Sequence, residues 1–261
     1  MERRKFMKAG GALALTPLLS ESPVFGSLNT PFAAGREIYE WRIYTIIGDG
    51  VELDKYFKDI LIPACSRKGV TVGAFKPNTT EGQEKRHILF VYPSMDAYYQ
   101  FKDGLWEDMV FTKAAQPFFD ATAPKASNVY TNYETYLSEA FSKIPKHRKP
   151  DSSRGLFEIR IYWSPNEEAN KRKVKMFNVD EIEIFDKTGI NSVLYGDIYA
   201  GPKMPALMYL TWYKDTATRT EAWDKFVKHP DWLRIKELPE YENTATNNES
   251  VILVPLSYSQ L

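Results

Sequence analysis

A charged motif that occurs twice in the sequence holds the residues best suited to chemistry. It reads aromatic-Glu-x-Arg-Ile-Tyr at residues 39–44 and again at residues 157–162. Alternate side chains of a β-strand share one face, so each copy places a glutamate, an arginine and a tyrosine side by side. These residues are Glu40, Arg42 and Tyr44 in the first copy and Glu158, Arg160 and Tyr162 in the second.

The motif supports three interpretations, which the sequence leaves open. In the first, each charged pair is structural and fixes how two halves of the protein dock, because buried charges persist only when they are paired. In the second, Arg42 or Arg160 grips a carboxylate or hydroxyl of a small polar ligand. Tyr44 and Tyr162 would then donate hydrogen bonds to that ligand. In the third, one of the glutamates acts as a general base.

The remaining reactive side chains form no recognisable site. The three histidines, His87, His147 and His229, share no metal-ligand spacing. We therefore predict no metal site and no cofactor, and we assign no catalytic residue. His87 would be the best axial ligand if haem were bound, but we expect a water-exposed histidine at a strand edge. Cys65 lies in a helical pattern and is expected to be a small core residue.

Apolar spacing predicts the same order of elements after each copy of the motif. A helix follows the first copy and ends near Gly69, and a charged helix over residues 167–188 follows the second and ends at Gly189. Two strands come next, then a helix that Ser94 caps in the first copy and Asp215 or Thr216 caps in the second, and then a last strand. The strands are expected over residues 70–75, 87–92 and 128–137, and over residues 190–199, 207–213 and 250–256. The order β-α-β-β-α-β is the ferredoxin-like arrangement.

The first 35 residues contain the parts of an export signal. Arg3 and Arg4 precede an apolar run over residues 9–19 and a segment with helix breakers, as in twin-arginine signals. We therefore predict a twin-arginine-type signal peptide and leader over residues 1–35, and a periplasmic or secreted protein. Two domains are expected over residues 36–141 and 155–261. The basic, proline-bearing segment over residues 142–154 is expected to link them.

The predicted fold is α+β, with two tandem ferredoxin-like domains packed sheet to sheet as a pseudo-twofold α/β barrel. A ferredoxin-like sheet has helices on one face only, so the second domain is expected to cover the other face. The apolar side chains of Tyr39, Trp41 and Ile43 should pack under the helices. The charged side chains of both motif copies would then point into the barrel and form the candidate ligand-binding site.

Two segments of the sequence resemble the NIPSNAP family. The aromatic-Glu-x-Arg-x-Tyr strands look like the opening motif of that family, and residues 221–226 and 229–232 are similar to its distal helix and turn. The first half departs from this pattern, because residues 101–106 contain no proline. The resemblance implies a dimeric α/β-barrel fold. That superfamily includes small monooxygenases and haem enzymes, and the resemblance implies no agreed catalytic residues.

Composition narrows the function classes further. Lysine plus arginine equals aspartate plus glutamate, at 34 each, so no net field attracts nucleic acid. The apolar run near the start is too short to cross a bilayer, and we expect no stable membrane insertion. We predict an exported NIPSNAP-like protein that binds a small polar ligand or a protein partner. The alternative is a cofactor-independent enzyme of the α/β-barrel superfamily, of monooxygenase or isomerase type. The sequence leaves a homo-oligomer open.

Overall fold

Eight antiparallel strands close into one barrel in the computed structural model, which describes residues 35–122 and 129–261. The strands are β1 (Ile38–Ile46), β2 (Thr71–Pro77), β3 (Lys85–Tyr92), β4 (Tyr130–Ala140), β5 (Leu156–Trp163), β6 (Asn191–Ala200), β7 (Ala206–Tyr213) and β8 (Asn247–Pro255). Their order around the barrel is β1-β3-β2-β8-β5-β7-β6-β4. The predicted export signal and leader lie outside the described residues, apart from Gly35.

Helices cover the outside of the barrel, and each half runs strand-helix-strand-strand-helix-strand, as the apolar spacing predicts. The helices of the first half are α1 (Val51–Tyr56), α2 (Ile62–Arg67), α3 (Met95–Glu107) and α4 (Met109–Thr122). Those of the second half are α5 (Glu167–Met176), α6 (Ile182–Thr188), α7 (Thr216–Lys228) and α8 (Pro230–Ile235). Within the described residues, no helix is long and apolar enough to cross a membrane.

The predicted caps of the two long distal helices are confirmed. The side chain of Ser94 accepts a hydrogen bond from the backbone N–H of Ala97, and Asp215 forms a capping box with Thr218. Each cap satisfies an N–H that the first helical turn leaves without an intrahelical partner. Since the two caps follow the ends of β3 and β7, they fix where α3 and α7 begin to cross the sheet.

A π-helical turn interrupts the first helix of each half. The turns span Phe57–Leu61, between α1 and α2, and Phe177–Glu181, between α5 and α6. A proline inside a helix usually kinks or ends it, yet α2 continues to Arg67 with Pro63 in its first turn. The second half makes the same π turn without a proline, so the turn does not depend on Pro63. Phe57 and Phe177 are fully buried, and each turn thereby aims a phenylalanine at the sheet.

The barrel interior is apolar, and the predicted assignment of the two strand faces is wrong. Tyr39 and Trp41 lie inside the barrel with Phe157 and Leu253 of the second half. The ring of Phe75 lies among them. Its centre is 5.8 Å from the ring centre of Trp41, on which it stacks, and 4.8 Å from that of Phe157. The polar face of each motif copy therefore points outward, under the helices. Closing the barrel requires a dry centre that both halves fill, and the large apolar rings of the motif strands supply it.

The predicted barrel is confirmed, and its two halves meet through strand pairing as well as through the packed interior. The halves are joined edge to edge, because β2 pairs with β8 and β4 pairs with β6 through backbone hydrogen bonds. Residues after β8 extend the first of these seams. The side chain of Gln260 accepts a hydrogen bond from the backbone N–H of Val72 at 2.6 Å, and that of Ser259 accepts one from Ala74 at 2.9 Å.

Residues 142–154 form neither helix nor strand, but they are held against the barrel. The backbone N–H of Glu37 donates to the carbonyl of Pro145, and that of Arg148 donates to the carbonyl of Val193. The carboxylate of Glu37 also accepts a hydrogen bond from the backbone of His147 at 2.6 Å. The segment that connects the halves therefore runs along β1 and β6.

His87 is buried in the barrel rather than exposed at a strand edge. Its side chain is only 3% exposed, since β3 begins two residues earlier than predicted, at Lys85. The indole N–H of Trp41 donates to its Nδ1 at 3.3 Å. Burial, and to a lesser extent Lys85, lowers the pKa of His87 from 6.5 to about 3. The imidazole is therefore neutral throughout the physiological range.

This depressed pKa predicts a specific loss of stability in acid. The pKa of His87 is about 3 in the folded protein, against the ordinary value of 6.5 that applies to the unfolded chain. The contribution of His87 to stability is therefore complete above pH 6.5 and is lost as the pH falls toward 3. Between pH 7 and pH 4.5, the protein should lose roughly 2–3 kcal/mol more than the His87→Gln variant. Urea unfolding at the two pH values measures this difference, and parallel losses in both proteins would contradict it.

Candidate ligand-binding site

In the first half, Glu40 holds Arg42 against the outer face of the sheet. The Nε of Arg42 donates to one carboxylate oxygen of Glu40 at 2.7 Å, and the hydroxyl of Tyr92 donates to the other at 2.8 Å. Both oxygens of Glu40 are thus occupied, and its side chain is 6% exposed. Glu40 is therefore a positioning residue, because its hydrogen-bonding capacity is directed at Arg42 and Tyr92.

The guanidinium of Arg42 keeps donors available. Its carbon lies 4.6 Å from the ring centre of Phe90 and 5.2 Å from that of Tyr133, so two aromatic faces fix its plane. Its Nη1 donates weakly to the hydroxyl of Tyr44 at 3.4 Å. Within the described residues, Nη2 makes no hydrogen bond. A guanidinium has five N–H groups, and most of those on Arg42 therefore remain free for a ligand.

These donors face a cavity of about 380 Å³ between the sheet and the helices of the first half. That volume lies within the range of small-molecule sites. The walls are mainly aromatic and aliphatic, with Lys102 as a second cation. The lining residues are Arg42, Tyr44, Leu53, Tyr56, Leu61, Phe90, Phe101, Lys102, Leu105, Trp106, Phe111, Phe118, Phe119, Tyr130 and Tyr133.

The electrostatics keep Arg42 charged and its tyrosine neighbour neutral. Burial alone would lower the pKa of Arg42, but Tyr44 and Glu40 outweigh it, and the pKa lies well above its usual value. Burial raises the pKa of Tyr44 to about 12, against the lowering effect of Arg42. The cavity therefore presents a permanent positive charge beside a hydroxyl that keeps its proton.

In the second half, the carboxylate at the equivalent position, that of Glu158, is surrounded by hydrogen-bond donors. Glu158 has no exposed surface and accepts two hydrogen bonds from Arg219, both at 2.8 Å. Ser250 donates to it at 2.6 Å, the indole of Trp223 at 3.0 Å and Arg160 at 3.2 Å. Burial alone would raise the pKa of Glu158, but the hydrogen bonds from Arg219 and Ser250 outweigh it and hold the pKa below its usual value.

A tryptophan covers the arginine of the second half. The indole of Trp223 lies 4.7 Å from the guanidinium carbon of Arg160. Trp223 and Lys102 occupy the same place in their helices, eight residues after the N-caps Asp215 and Ser94. The first half thus has a flexible lysine where the second has a bulky ring, and Arg42 lines a cavity there.

A buried ion pair fills further space in the second half. The ammonium of Lys173 donates to Glu181 at 3.1 Å, and both side chains are at most 7% exposed. Glu181 ends its π turn as Leu61 ends the π turn of the first half. Trp232, in the segment that resembles the distal NIPSNAP turn, packs on Phe226 at 4.6 Å. The second half therefore uses its own side chains in the region that the first half leaves open.

The structure brings each predicted triplet together, but not the two triplets with each other. Glu40 and Arg42 pair within the first half, and Glu158 and Arg160 pair within the second. The charged pairs do not span the halves, so the docking interpretation is wrong. The six motif residues lie under the helices rather than inside the barrel, because donors from neighbouring strands and helices satisfy their carboxylates there.

Sequence reasoning missed the partners that the helices and neighbouring strands supply. Arg219 and Tyr92 carry no motif that marks them as partners of a glutamate. Trp223 does lie in the segment that resembles the family's distal helix, and this was an available signal. Cys65 is buried as expected, and burial raises its pKa to about 12. Among residues 35–122 and 129–261, no cluster of His, Cys, Asp and Glu could hold a metal ion.

The burial of Glu158 predicts a large cost for removing Arg219. Arg219→Ala removes two charge-assisted hydrogen bonds from a fully buried carboxylate, and breaking such a pair costs roughly 3–5 kcal/mol. Lys228→Ala on the same helix removes an exposed pair with Asp224 and should cost well under about 1 kcal/mol. Urea unfolding of both variants tests the contrast. Equal losses would show that Glu158 does not depend on Arg219.

Comparison with known proteins relates part of the chain to a family. Residues 157–260 match the sequence model of the NIPSNAP family. No curated protein sequence matches the chain. A NIPSNAP family protein of unknown function from Agrobacterium tumefaciens aligns at 23% identity over 44% of this chain and 98% of its own, with a TM-score of 0.38.

Two solved structures share the fold of the whole barrel. A candidate monooxygenase from Lactobacillus acidophilus aligns with a TM-score of 0.55 at 13% identity, over 84% of this chain and 94% of its own. A second, from Fusobacterium nucleatum, aligns with a TM-score of 0.51 at 11% identity, over 85% of this chain and 93% of its own. At these identities the likeness concerns the fold alone. Residues 157–260 therefore match the NIPSNAP family model, and they lie in a closed eight-stranded barrel whose fold is similar to that of these two structures.

Proposed function

We propose that the first half of the protein binds a small planar aromatic molecule with an anionic or phenolic oxygen. The oxygen accepts hydrogen bonds from Arg42, and the rings occupy the cavity beneath the helices. One observation carries the proposal: the guanidinium of Arg42 presents unpaired N–H groups to an aromatic cavity of about 380 Å³. The sequence predicts a small polar ligand, and the cavity narrows that prediction to an aromatic molecule.

The lining of the cavity supports both parts of this ligand. Its described residues include two cations, Arg42 and Lys102, and no carboxylate, so an anion is favoured over a cation. Aromatic side chains make up much of the remaining lining, and a planar aromatic molecule packs well against such rings. Charge-assisted hydrogen bonds from a planar guanidinium also suit a carboxylate or phenolate.

A second candidate function is a cofactor-independent enzyme of monooxygenase or isomerase type. The fold similarity to two candidate monooxygenases supports it, and so does the charge of Arg42. A fixed cation stabilises the deprotonated form of a bound phenol, which makes the aromatic ring more electron-rich. A glutamate base is less favoured in this role, because both oxygens of Glu40 already accept hydrogen bonds.

We also propose that the two halves are copies of one ferredoxin-like unit and that the protein is exported. The shared strand order, the paired π turns and the repeated motif support the duplication. Arg3 and Arg4 before an apolar run support export by the twin-arginine route to the periplasm or beyond. The sequence also allows binding to a protein partner and assembly into a homo-oligomer, and both remain proposals.

The ligand proposal predicts selective binding of an aromatic anion. By isothermal titration calorimetry, 2-naphthoate should bind, while the neutral 2-naphthamide should bind at least about tenfold more weakly, because it lacks the charge that strengthens hydrogen bonds. Arg42→Lys keeps a cation beside Glu40 but removes the planar fork. It should weaken the binding of 2-naphthoate about tenfold.

Arg160→Lys is the matched control, because Trp223 covers the guanidinium of Arg160. It should leave the affinity for 2-naphthoate unchanged. Equal binding of the two probes, or equal effects of the two arginine variants, would refute the site. Mass spectrometry of the same mixtures after incubation in air separates the candidates, since an enzyme of monooxygenase type adds oxygen to the probe.

The export proposal predicts that Arg3 and Arg4 are both needed. Replacing the pair with lysines removes the twin-arginine signal while keeping the positive charge. Precursor should then accumulate in the cytoplasm of the expressing bacterium, as seen by cell fractionation and immunoblotting. Processed protein in the periplasm of the double variant would contradict the proposal.

A further inference from the structure

A second cavity opens at one end of the barrel. Its volume is about 290 Å³, and it lies where β1 and β2 end and β3 begins. Its described lining shares no residue with the cavity at Arg42. It is also on the other side of the sheet, since Ile43 and Val251 line it and both pack against the barrel interior. It is therefore a separate candidate site, which we call the barrel mouth.

Two buried polar side chains form the inner part of the barrel mouth. His87 and Tyr136 line it, and each is only 3% exposed. An indole N–H can only donate, so the hydrogen bond from Trp41 to Nδ1 assigns the proton of neutral His87 to Nε2. Within the described residues, neither this Nε2 nor the Tyr136 hydroxyl has a hydrogen-bond partner. Neither is among the fully enclosed unsatisfied atoms, so both reach the open space.

An acidic rim surrounds this inner part. Glu81, Glu134 and Glu249 line the cavity with a single cation, Lys85, that could offset them. In the part of the chain that the structure describes, none of these four side chains forms an ion pair. Burial raises the pKa of Tyr136 to about 12, and the charges of Glu134 and Glu249 add to the effect. Both carboxylates therefore act on the same hydroxyl from different strands, β4 and β8.

We infer that the barrel mouth binds a small protonated amine that also carries a hydroxyl or carbonyl oxygen. The ammonium lies between Glu134 and Glu249, and the oxygen accepts a hydrogen bond from Nε2 of His87. The Tyr136 hydroxyl donates to the same oxygen. A net negative rim concentrates cations at the opening, and the buried donors select among them. The bound oxygen thereby gives a hydrogen-bond partner to the two inner groups that have none among the described residues.

The experiment uses 2-aminoethanol as the probe, with ethylene glycol and glycolate as its neutral and anionic counterparts. The indole ¹H–¹⁵N resonance of Trp41, assigned with Trp41→Phe, reports on the site because this N–H bonds to His87. At constant pH and ionic strength, 2-aminoethanol should shift this resonance in a saturable way. Ethylene glycol and glycolate should bind at least tenfold more weakly. An equal response to all three probes, or none to 2-aminoethanol, overturns the inference.

The variant Glu134→Gln/Glu249→Gln tests the rim. Both side chains are exposed, so the substitutions should leave the fold intact, and the affinity for 2-aminoethanol should fall at least tenfold. The matched control is Glu183→Gln/Glu221→Gln, which removes the same charge from exposed sites on α6 and α7. The control should bind the probe as the parent does. Equal losses in both variants would show that only the overall charge matters and would overturn the site.

Discussion

The carboxylate of Glu158 is fully buried, and the layer between sheet and helices in the second half is organised to keep it ionised. Donors come to it from β5, α7 and β8, which locks these three elements together. Glu40 occupies the equivalent strand position and is satisfied by Arg42 and Tyr92 alone. Because the first carboxylate needs no donor from a helix, α3 is free of that constraint, and space for a ligand remains above Arg42.

The order of elements was predictable, but the orientation of the strands was not. Because side chains alternate between the two faces of a strand, Glu40 shares a face with Arg42, and Tyr39 shares the other with Trp41, wherever the strand lies. The polarity of the two faces predicts which one points into the barrel only when the outer face is exposed to water. In this barrel the helices cover the outside. Both faces are then buried, and the choice depends on long-range partners such as Tyr92 and Arg219. These partners carry no local signal that pairs them with a glutamate.

The site was only half visible for the same reason. The sequence pointed to Arg42 and Tyr44 as a group, yet the aromatic walls come from helices whose contacts follow from tertiary packing. Only an alignment of α3 with α7 shows why the first half has a cavity at its arginine and the second does not, because it places Lys102 at the position of Trp223. His87 was misplaced by a strand boundary, since a β3 that begins at Lys85 carries it inside the barrel.

The contacts of Ser259 and Gln260 with β2 also constrain the order of events during synthesis. The hydrogen bond between Val72 and Gln260 joins residues separated by 188 positions. A ribosome releases the amino-terminal half first, so β2 emerges long before β8 and residues 259–261 can pair with it. Until then the sheet of the nascent chain has two unpaired edge strands, β2 and β4. Such edges invite association between chains, and a holding chaperone would be most useful to this protein during that interval.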